Sequence, residues 1–233
     1  PLIRITVASR DLIGQEFFRW EIAPAIASAI IGINPFDQPE VEDAKIATRE
    51  LVDAYEASSA LEPEIAIAED ADLAIYSAGE NGLGSGDPAN LLRLHFARLE
   101  PGHYAGFLGF IERDEANAAA MAAMRVAVRA TKAVATVAGF GPRFLHSTGQ
   151  AYKGGPACGL FLTITRDPHP DLAIPGRNAS FGTIQIAQAP GHMPVLLHRG
   201  RPLLIFHIKA DGCSHQGFDT PFLGAPSQSH TRT

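Results

Sequence analysis

The alternation of apolar and polar residues is clearest between residues 37 and 58, where it predicts an amphipathic helix. Apolar or small residues recur there at three- and four-residue steps and trace one buried stripe: Val41, Ala44, Thr48, Leu51, Val52 and Tyr55. Asp37 is a good N-cap residue, and Glu40 three residues later can complete a capping box. Lys45 falls on the edge of the stripe, so its side chain either extends past the packed face into solvent or works in a pocket.

A second helix is predicted over residues 14–33, and it is apolar on nearly every side. Phe17, Phe18 and Trp20 lie on it, and the Asn34-Pro35 pair stops it. Helices of this kind are normally buried against several neighbours. Residues 2–7, which precede it, predict a strand.

Beyond residue 90, strand-like and helix-like patterns alternate. A period-two pattern predicts a strand over 91–99, and compact apolar runs follow at 104–111, 133–138, 159–164 and 202–208. Helices are predicted over 114–132, which is rich in alanine, and over 181–189, ending before Pro190. This alternation indicates βαβ units. The predicted fold class is therefore α/β, with an N-terminal strand and two helices followed by a mostly parallel sheet.

Composition shifts along the chain suggest four regions. Residues 60–89 are acidic and glycine-rich with one short apolar run at 73–76, which predicts a linker with one strand. The predicted division is 1–59 for the helices, 60–89 for the linker, 90–210 for the α/β domain and 211–233 for a disordered tail. The chain begins with Pro1 and has no signal-peptide pattern, so we expect it to be a piece of a longer protein.

The overall composition excludes several functional classes. The chain has 233 residues, 46% of them hydrophobic, and a net charge of −6, with no stretch rich in lysine and arginine, which argues against a nucleic-acid binder. No apolar run approaches the ~18 residues of a membrane span, so no membrane association is predicted. Two cysteines suit a reducing cytoplasm. The histidines lack metal-ligand spacing, which predicts no metal site.

A second group of polar residues follows the strand predicted at 133–138. Residues 139–150 are rich in glycine and contain His146, which offers proton transfer near neutral pH, and Gln150, which offers hydrogen bonds. Ligands of open α/β sheets lie just beyond the carboxyl ends of strands. Arg143 and Lys153 flank His146 and can form an anion site, although a solvated loop charge is the commoner situation. Arg177 and Arg201 are predicted to be ordinary surface positions.

Both groups resemble glucose-6-phosphate isomerases. Residues 16–21, 32–38 and Lys45 look like the C-terminal helices of these enzymes. With residues 141–150 and 153–155 included, the chain resembles the end of bifunctional transaldolase/glucose-6-phosphate isomerase chains over roughly residues 1–208. The resemblance implies a sugar-isomerase domain that interconverts glucose 6-phosphate and fructose 6-phosphate through a cis-enediol without a cofactor.

The resemblance also implies roles for particular residues. Lys45 and His146 would assist ring opening as catalytic residues, and Gln38 would contact the substrate, as would Arg143, Gln150 and Lys153. The alternatives are structural: Gln38 can assist the helix N-terminus, and His146 can be a hydrogen-bonded histidine in a strand–helix turn. The family's glutamate base and its Ser/Thr phosphate loop are absent from this sequence, and the histidine motif follows the lysine by about a hundred residues instead of preceding it.

The expected function is therefore one part of an isomerase active site. Its expected partners are the sugar-phosphate substrate and the upstream isomerase and transaldolase domains of the same protein, with self-association possible through apolar helix surface. The isolated chain is expected to be inactive because it lacks the base. Two alternatives remain, a non-catalytic domain that packs against the catalytic domains and a stand-alone sugar-phosphate binding module.

Overall fold

A computed structural model describes residues 4–37, 39–58, 65–77, 82–142, 148–168 and 170–209. The chain divides into two compact units, Pro1–Gln38 and Pro39–Thr233. The second unit therefore takes in the helix that carries Lys45, whereas the predicted division grouped that helix with the preceding one. The predicted disordered tail at 211–233 lies outside the described residues.

The first unit consists of a short 3-10 helix, Arg10–Leu12, and helix α1, Ile13–Ile31. Gly32 ends α1 in the left-handed conformation, with φ of 82°, and its N–H donates to the Ser28 carbonyl. The helix was predicted correctly, but its predicted burial is wrong for the described residues. Phe17, Phe18 and Trp20 are 60–65% exposed. Residues 4–8 form no strand, because no described segment pairs with them and a single strand is not stable alone.

The second unit is built on one six-stranded sheet. Its strands in chain order are β1 Ala66–Glu69, β2 Leu73–Ser77, β3 Tyr104–Phe110, β4 Ala135–Phe140, β5 Gly159–Arg166 and β6 Leu203–Ile208. Across the sheet they lie in the order β1-β2-β6-β5-β3-β4. The pairs β3–β4, β3–β5 and β5–β6 are parallel, whereas β1–β2 and β2–β6 are antiparallel. The predicted fold class, α/β with a mostly parallel sheet, is confirmed.

In the described part of this unit there are five helices: α2 Pro39–Ser58, α3 Pro88–Ala97, α4 Glu115–Lys132, α5 Thr148–Gly154 and α6 Phe181–His198. Alternate strand residues point to opposite faces of the sheet. On one face, here the α3–α4 face, Phe107, Leu162 and Phe206 pack with residues of α3 and α4. On the other, the α5–α6 face, Leu108 and Ile205 pack with residues of α5 and α6. Helix α2 packs against α6 and α5.

Helix α3 replaces the strand predicted at 91–99. Asp87 caps it by accepting the Asn90 N–H at 2.9 Å, and Pro88 occupies the first turn, where no N–H is needed. The buried residues are Leu91, Leu92, His95 and Phe96. Their spacing is that of one helix face. The strand was predicted because Leu92, Leu94 and Phe96 alternate with polar residues, as they would in a strand.

Two further predictions differ from the structure. Residues 66–77 contain two paired strands of the main sheet, β1 and β2, instead of one strand in a linker. Helix α6 does not end before Pro190 but continues to His198, with Pro190 and Pro194 inside it. Each internal proline costs roughly 3 kcal/mol in a helix. Burial of Ala187, Met193 and Leu196 along this helix offsets that cost.

Candidate functional site

A cavity of about 500 Å³ opens between α2, α6 and the end of β4. Helix α2 contributes most of its wall, α6 contributes two residues, and two loops contribute one residue each. The lining residues are Ala44, Lys45, Thr48, Arg49, Val52, Asp53, Pro142, Arg177, Ile184 and Gln188. Lys45, predicted from its place at the edge of an apolar stripe, therefore lies at a pocket. We call this cavity the α2–α6 pocket.

The two helices that form the pocket approach closely at Gly191. A Cβ atom added to Gly191 would lie 2.3 Å from Thr48 Oγ1 and 2.9 Å from the Thr48 backbone N. Only glycine fits such a contact without displacing a helix. The Thr48 hydroxyl donates to the Ala44 carbonyl at 2.8 Å, so it places no unsatisfied polar group in the contact. Ala44 and Val52 are buried as the stripe predicted.

The pocket reaches the carboxyl edge of the sheet through Pro142. This residue follows the last residues of β4, and the Gly141 N–H donates to the Gly109 carbonyl of β3 at 2.7 Å. A Cβ atom on Gly141 would lie 2.7 Å from the Phe110 ring, so a glycine is required where the chain leaves the strand. In open α/β sheets this edge is where ligands bind. Pro142 belongs to the 141–150 stretch of the family resemblance, so this described residue of the stretch lies at the pocket wall.

The Lys45 side chain is 45% exposed, and its Nζ atom lies 3.1 Å from the Glu42 carboxylate one turn earlier. Lys45 lines the pocket. Its side chain extends past the packed face and also borders a cavity, and a working role in that cavity stays a prediction. An exposed pair of this kind contributes little stability. The ammonium group can therefore exchange Glu42 for a ligand at small cost.

Glu56 at the end of α2 holds the loop that carries Arg177. Its carboxylate accepts hydrogen bonds from Arg177 Nε at 2.7 Å, from the Asn178 N–H at 2.9 Å and from the Ala179 N–H at 3.3 Å. The Asn178 side chain also donates to the Glu56 carbonyl at 3.1 Å. The pKa of Glu56 is lowered, first by the Asn178 N–H, which favours the ionised carboxylate. Arg177 is exposed, as predicted, and it also forms part of the pocket wall.

Helix α5 carries the predicted residues Gln150 and Lys153. Gln150 is half-buried, whereas Lys153 is fully buried with 0% exposure. The interpretation of Lys153 as a solvated loop charge is therefore wrong. Neither residue is among those that line the α2–α6 pocket. Fully buried lysines are rare in proteins.

Arg201 lies beside Lys153 and is only 4% exposed. Its guanidinium donates to the carbonyls of Tyr152 at 3.2 Å, Lys153 at 3.0 Å and Gly155. These are the last carbonyls of α5, so Arg201 satisfies acceptors that a helix end leaves open and complements its dipole. The prediction of an ordinary surface arginine is wrong, because a contact across almost fifty residues leaves no local sequence pattern.

Three predicted site residues, Gln38, Arg143 and His146, lie outside the described residues. Their roles stay predictions. The capping role of Asp37 likewise stays a prediction, because the side chains of residues 39–41 are not described. Among the described residues, no group of three or more His, Cys, Asp or Glu side chains could hold a metal ion. In the same part of the chain, no helix is both long and apolar enough to cross a membrane.

A hydrogen-bonded chain of Thr165, His207 and Asp167 joins β5 and β6 near the carboxyl edge, and the sequence did not indicate it. The Thr165 hydroxyl lies 2.9 Å from His207 Nδ1, and His207 Nε2 lies 3.1 Å from Asp167 Oδ1. The order resembles a nucleophile, a base and an orienting acid. Thr165 is 5% exposed, however, so a ligand cannot reach its hydroxyl. The chain is best explained as a cross-strand contact that satisfies polar groups inside the sheet.

No known family model matches this chain, and no curated protein matches it either. Among solved structures, a hypothetical protein from Thermus thermophilus is similar to it, with a TM-score of 0.43 and 16% sequence identity. The similarity covers 51% of this chain and 32% of the other. The matched part is thus about a third of the Thermus protein. A likeness at this TM-score carries no weight for family or function.

Proposed function

We propose that this chain forms one part of the active site of a glucose-6-phosphate isomerase of the transaldolase-fused kind. The observation that supports the proposal is the position of Lys45, which borders a pocket at the carboxyl edge of the sheet together with Pro142, a residue of the 141–150 stretch. The two stretches that resemble the family are about a hundred residues apart in sequence. The α2–α6 pocket is bordered by a residue of each stretch, Lys45 and Pro142.

Lys45 is the residue to which the proposal assigns catalysis. Opening of a sugar ring develops negative charge on the ring oxygen, and an ammonium group beside that oxygen stabilises it. His146 would move the ring-opening proton, and Gln38, Arg143 and Gln150 would contact the substrate, whereas the substrate contact predicted for Lys153 does not agree with its complete burial. The reaction itself transfers a proton between two neighbouring carbons through a cis-enediol and requires no cofactor.

The missing glutamate base has a direct consequence for the isolated chain. Positioned acid–base catalysis contributes about 10²–10⁴-fold to a rate, so a chain without the base is expected to be inactive. The base and the rest of the site would come from upstream isomerase and transaldolase domains of the same protein. A cytoplasmic location belongs to this proposal.

A coupled isomerase assay on the longer parent protein tests the proposal. We expect Lys45→Ala to lower kcat by about 100-fold or more. Lys132→Ala is the matched control, since Lys132 lies on α4 and its Nζ donates only to the Ala97 carbonyl among the described residues. Turnover of the Lys45→Ala parent at the rate of the Lys132→Ala parent would contradict the catalytic role.

A second candidate function is a non-catalytic domain that packs against the catalytic domains. The observation that favours it is the exposure of Phe17, Phe18 and Trp20 on α1. Aromatic side chains at this exposure are common in surfaces that another domain covers. In this case Lys45→Ala would leave turnover unchanged, whereas Phe18→Asp would reduce the stability of the longer parent. The same pair of variants thus separates the two functions.

A further inference from the structure

We propose that the α2–α6 pocket binds a phosphate group through Arg177 and Arg49, and that Glu56 is the positioning residue for Arg177. The identity of the sugar that carries the phosphate rests on the proposed function. The anion site itself rests only on the charges and contacts described below. It would supply the phosphate contacts for which the sequence contains no Ser/Thr loop.

The lining of the pocket holds more cations than carboxylates although the protein is acidic. Lys45, Arg49 and Arg177 line it together with Asp53, while Glu42 and Glu56 pair with Lys45 and Arg177 from outside the lining. The whole chain carries a net charge of −6. A local excess of positive charge within a concave wall strengthens the field on an anion, because the protein walls exclude water. The charge of this wall favours an anionic ligand over a neutral one.

The Arg177 guanidinium retains its capacity to bind an anion. Glu56 accepts only the Nε–H, at 2.7 Å, and this is the only hydrogen bond of that side chain among the described residues. The two terminal amino groups therefore keep four of the five guanidinium N–H donors. Planar paired donors of this kind match the oxygens of a phosphate group, which arginine binds in bidentate fashion.

The loop that carries Arg177 is fixed at both ends. Glu56 binds the backbone of Asn178 and Ala179, and Ala179 is buried. At the other end, Asp171 accepts the Gly182 N–H of α6 at 2.9 Å. A cation on a loop with these anchors loses little conformational freedom when it binds a ligand. The Glu56 carboxylate thus holds Arg177 in a fixed orientation, which an unanchored surface arginine would not have.

Arg49 supplies the second cation. It lies four residues after Lys45 on α2, so the two charges occupy neighbouring positions on one helix face. Like charges at this spacing repel each other, and an anion between them relieves that repulsion. Glu42 and Asp53 offset part of the charge from the two ends of the same face. Arg49 and Lys45 therefore line the same pocket as Arg177.

Calorimetric titration of the 233-residue chain with inorganic phosphate, glucose 6-phosphate and glucose tests the inference. We expect both phosphates to bind, glucose not to bind, and affinity to fall as salt is added. Arg177→Gln should weaken phosphate binding about 10- to 100-fold, the loss expected when charge-assisted hydrogen bonds are removed. Arg93→Gln, on exposed α3 surface, should not change it. Equal affinity of Arg177→Gln and the unchanged chain, or no binding of either phosphate, overturns the inference.

Two variants of Glu56 and Arg177 test positioning. Arg177→Lys keeps the charge and should restore part of the affinity lost in Arg177→Gln. In the longer parent, Glu56→Gln should raise KM for glucose 6-phosphate several-fold with kcat unchanged, since a bound phosphate is remote from the reacting carbons. A lower kcat with unchanged KM would show that Glu56 is merely structural and would overturn its positioning role.

The outcomes distinguish this inference from the proposed function. If phosphate binding depends on Arg177 while Lys45→Ala leaves isomerase turnover unchanged, the anion site stands and the catalytic role of Lys45 fails. If Lys45→Ala abolishes turnover while Arg177→Gln binds phosphate normally, the isomerase assignment stands and the anion site is wrong.

Discussion

The two faces of the sheet differ in what their helices do. On the α3–α4 face, Phe107, Leu162 and Ile164 are at most 3% exposed and pack with apolar residues of two helices. None of the described predicted site residues lies on that face. The α5–α6 face has a smaller apolar cluster, and its helices carry the buried Lys153 and form a pocket with α2. Both faces thus bury apolar side chains, and among the described residues the pocket with the cationic lining lies on the side of α6.

This division explains how a site with three cations can exist in a marginally stable protein. Cationic groups near an apolar core cost free energy unless they are solvated, paired or engaged by a ligand. The α2–α6 pocket keeps Lys45 and Arg177 about half exposed and places Glu42 and Glu56 beside them. The stabilising contacts of the α3–α4 face are independent of those charges. Changes on the two faces should therefore affect stability and binding separately.

The largest expected effect is on the stability of the α3–α4 face. Phe107→Ala removes a fully buried ring from the main core and should lower the free energy of unfolding by about 3–5 kcal/mol. Chemical denaturation measures this change. Phe18→Ala is the matched control, because that ring is 65% exposed. It should change the free energy of unfolding of the isolated chain by less than about 0.5 kcal/mol. Equal losses in the two variants would contradict the division between the faces.

Gly191→Ala should disturb the α2–α6 pocket. Its Cβ would lie 2.9 Å from the Thr48 backbone, so α2 must move, at a cost of about 1–3 kcal/mol. Phosphate affinity should fall together with stability, since Lys45 and Arg49 move with α2. Gly14→Ala is the control, because a Cβ there meets nothing within 4 Å. A variant that keeps both stability and affinity would show that α2 is not held by this contact.

How much of this arrangement the sequence could predict depends on the range of the interactions. The stripe on α2 and the runs of β5 and β6 follow from local periodicity, and Lys45 was noticeable because it interrupted an apolar pattern. The contact of Glu56 with Arg177 joins residues 121 positions apart. Neither residue has a local pattern that indicates the other. The strand predicted at 73–76 is β2, but its place in the main sheet was not predicted because its partner β6 lies far along the chain. The edge strand β1 was missed because its four residues lie in an acidic stretch.

His95 gives a pH-dependent test of the α3–α4 face. Its ring is fully buried and its Nε2 lies 2.9 Å from the Phe161 carbonyl, and burial lowers its pKa from 6.5 to about 3. The unfolded chain therefore binds a proton below pH 6.5 that the folded chain excludes until about pH 3. The contribution of neutral His95 to the free energy of unfolding should be fully present above pH 6.5. Below that pH, the free energy of unfolding should fall by about 1.4 kcal/mol per pH unit.

The variant that tests this dependence is His95→Gln, which keeps a donor for the Phe161 carbonyl but does not titrate. The quantity to compare is the change in unfolding free energy between pH 7.5 and pH 5.5, a difference in which the variant's basal destabilisation cancels. It should be about 1.4 kcal/mol smaller in the variant than in the unchanged protein. An equal pH dependence in both proteins would assign the acid sensitivity to other groups.

The smallest expected effect is the stability change of Lys45→Ala, and its smallness makes it informative. The Lys45 side chain is 45% exposed, and its described ion pair, with Glu42, is at the surface. Exposed pairs contribute about 0–1 kcal/mol, and alanine is a better helix former than lysine, so we expect a net change within about 0.5 kcal/mol. Thermal denaturation at matched ionic strength measures it.

A loss above about 2 kcal/mol would make Lys45 a structural residue, and a loss of isomerase turnover in the same variant could then be explained by unfolding. A small change in stability with a large loss of turnover would separate the chemistry of the pocket from the packing of the helix that carries it.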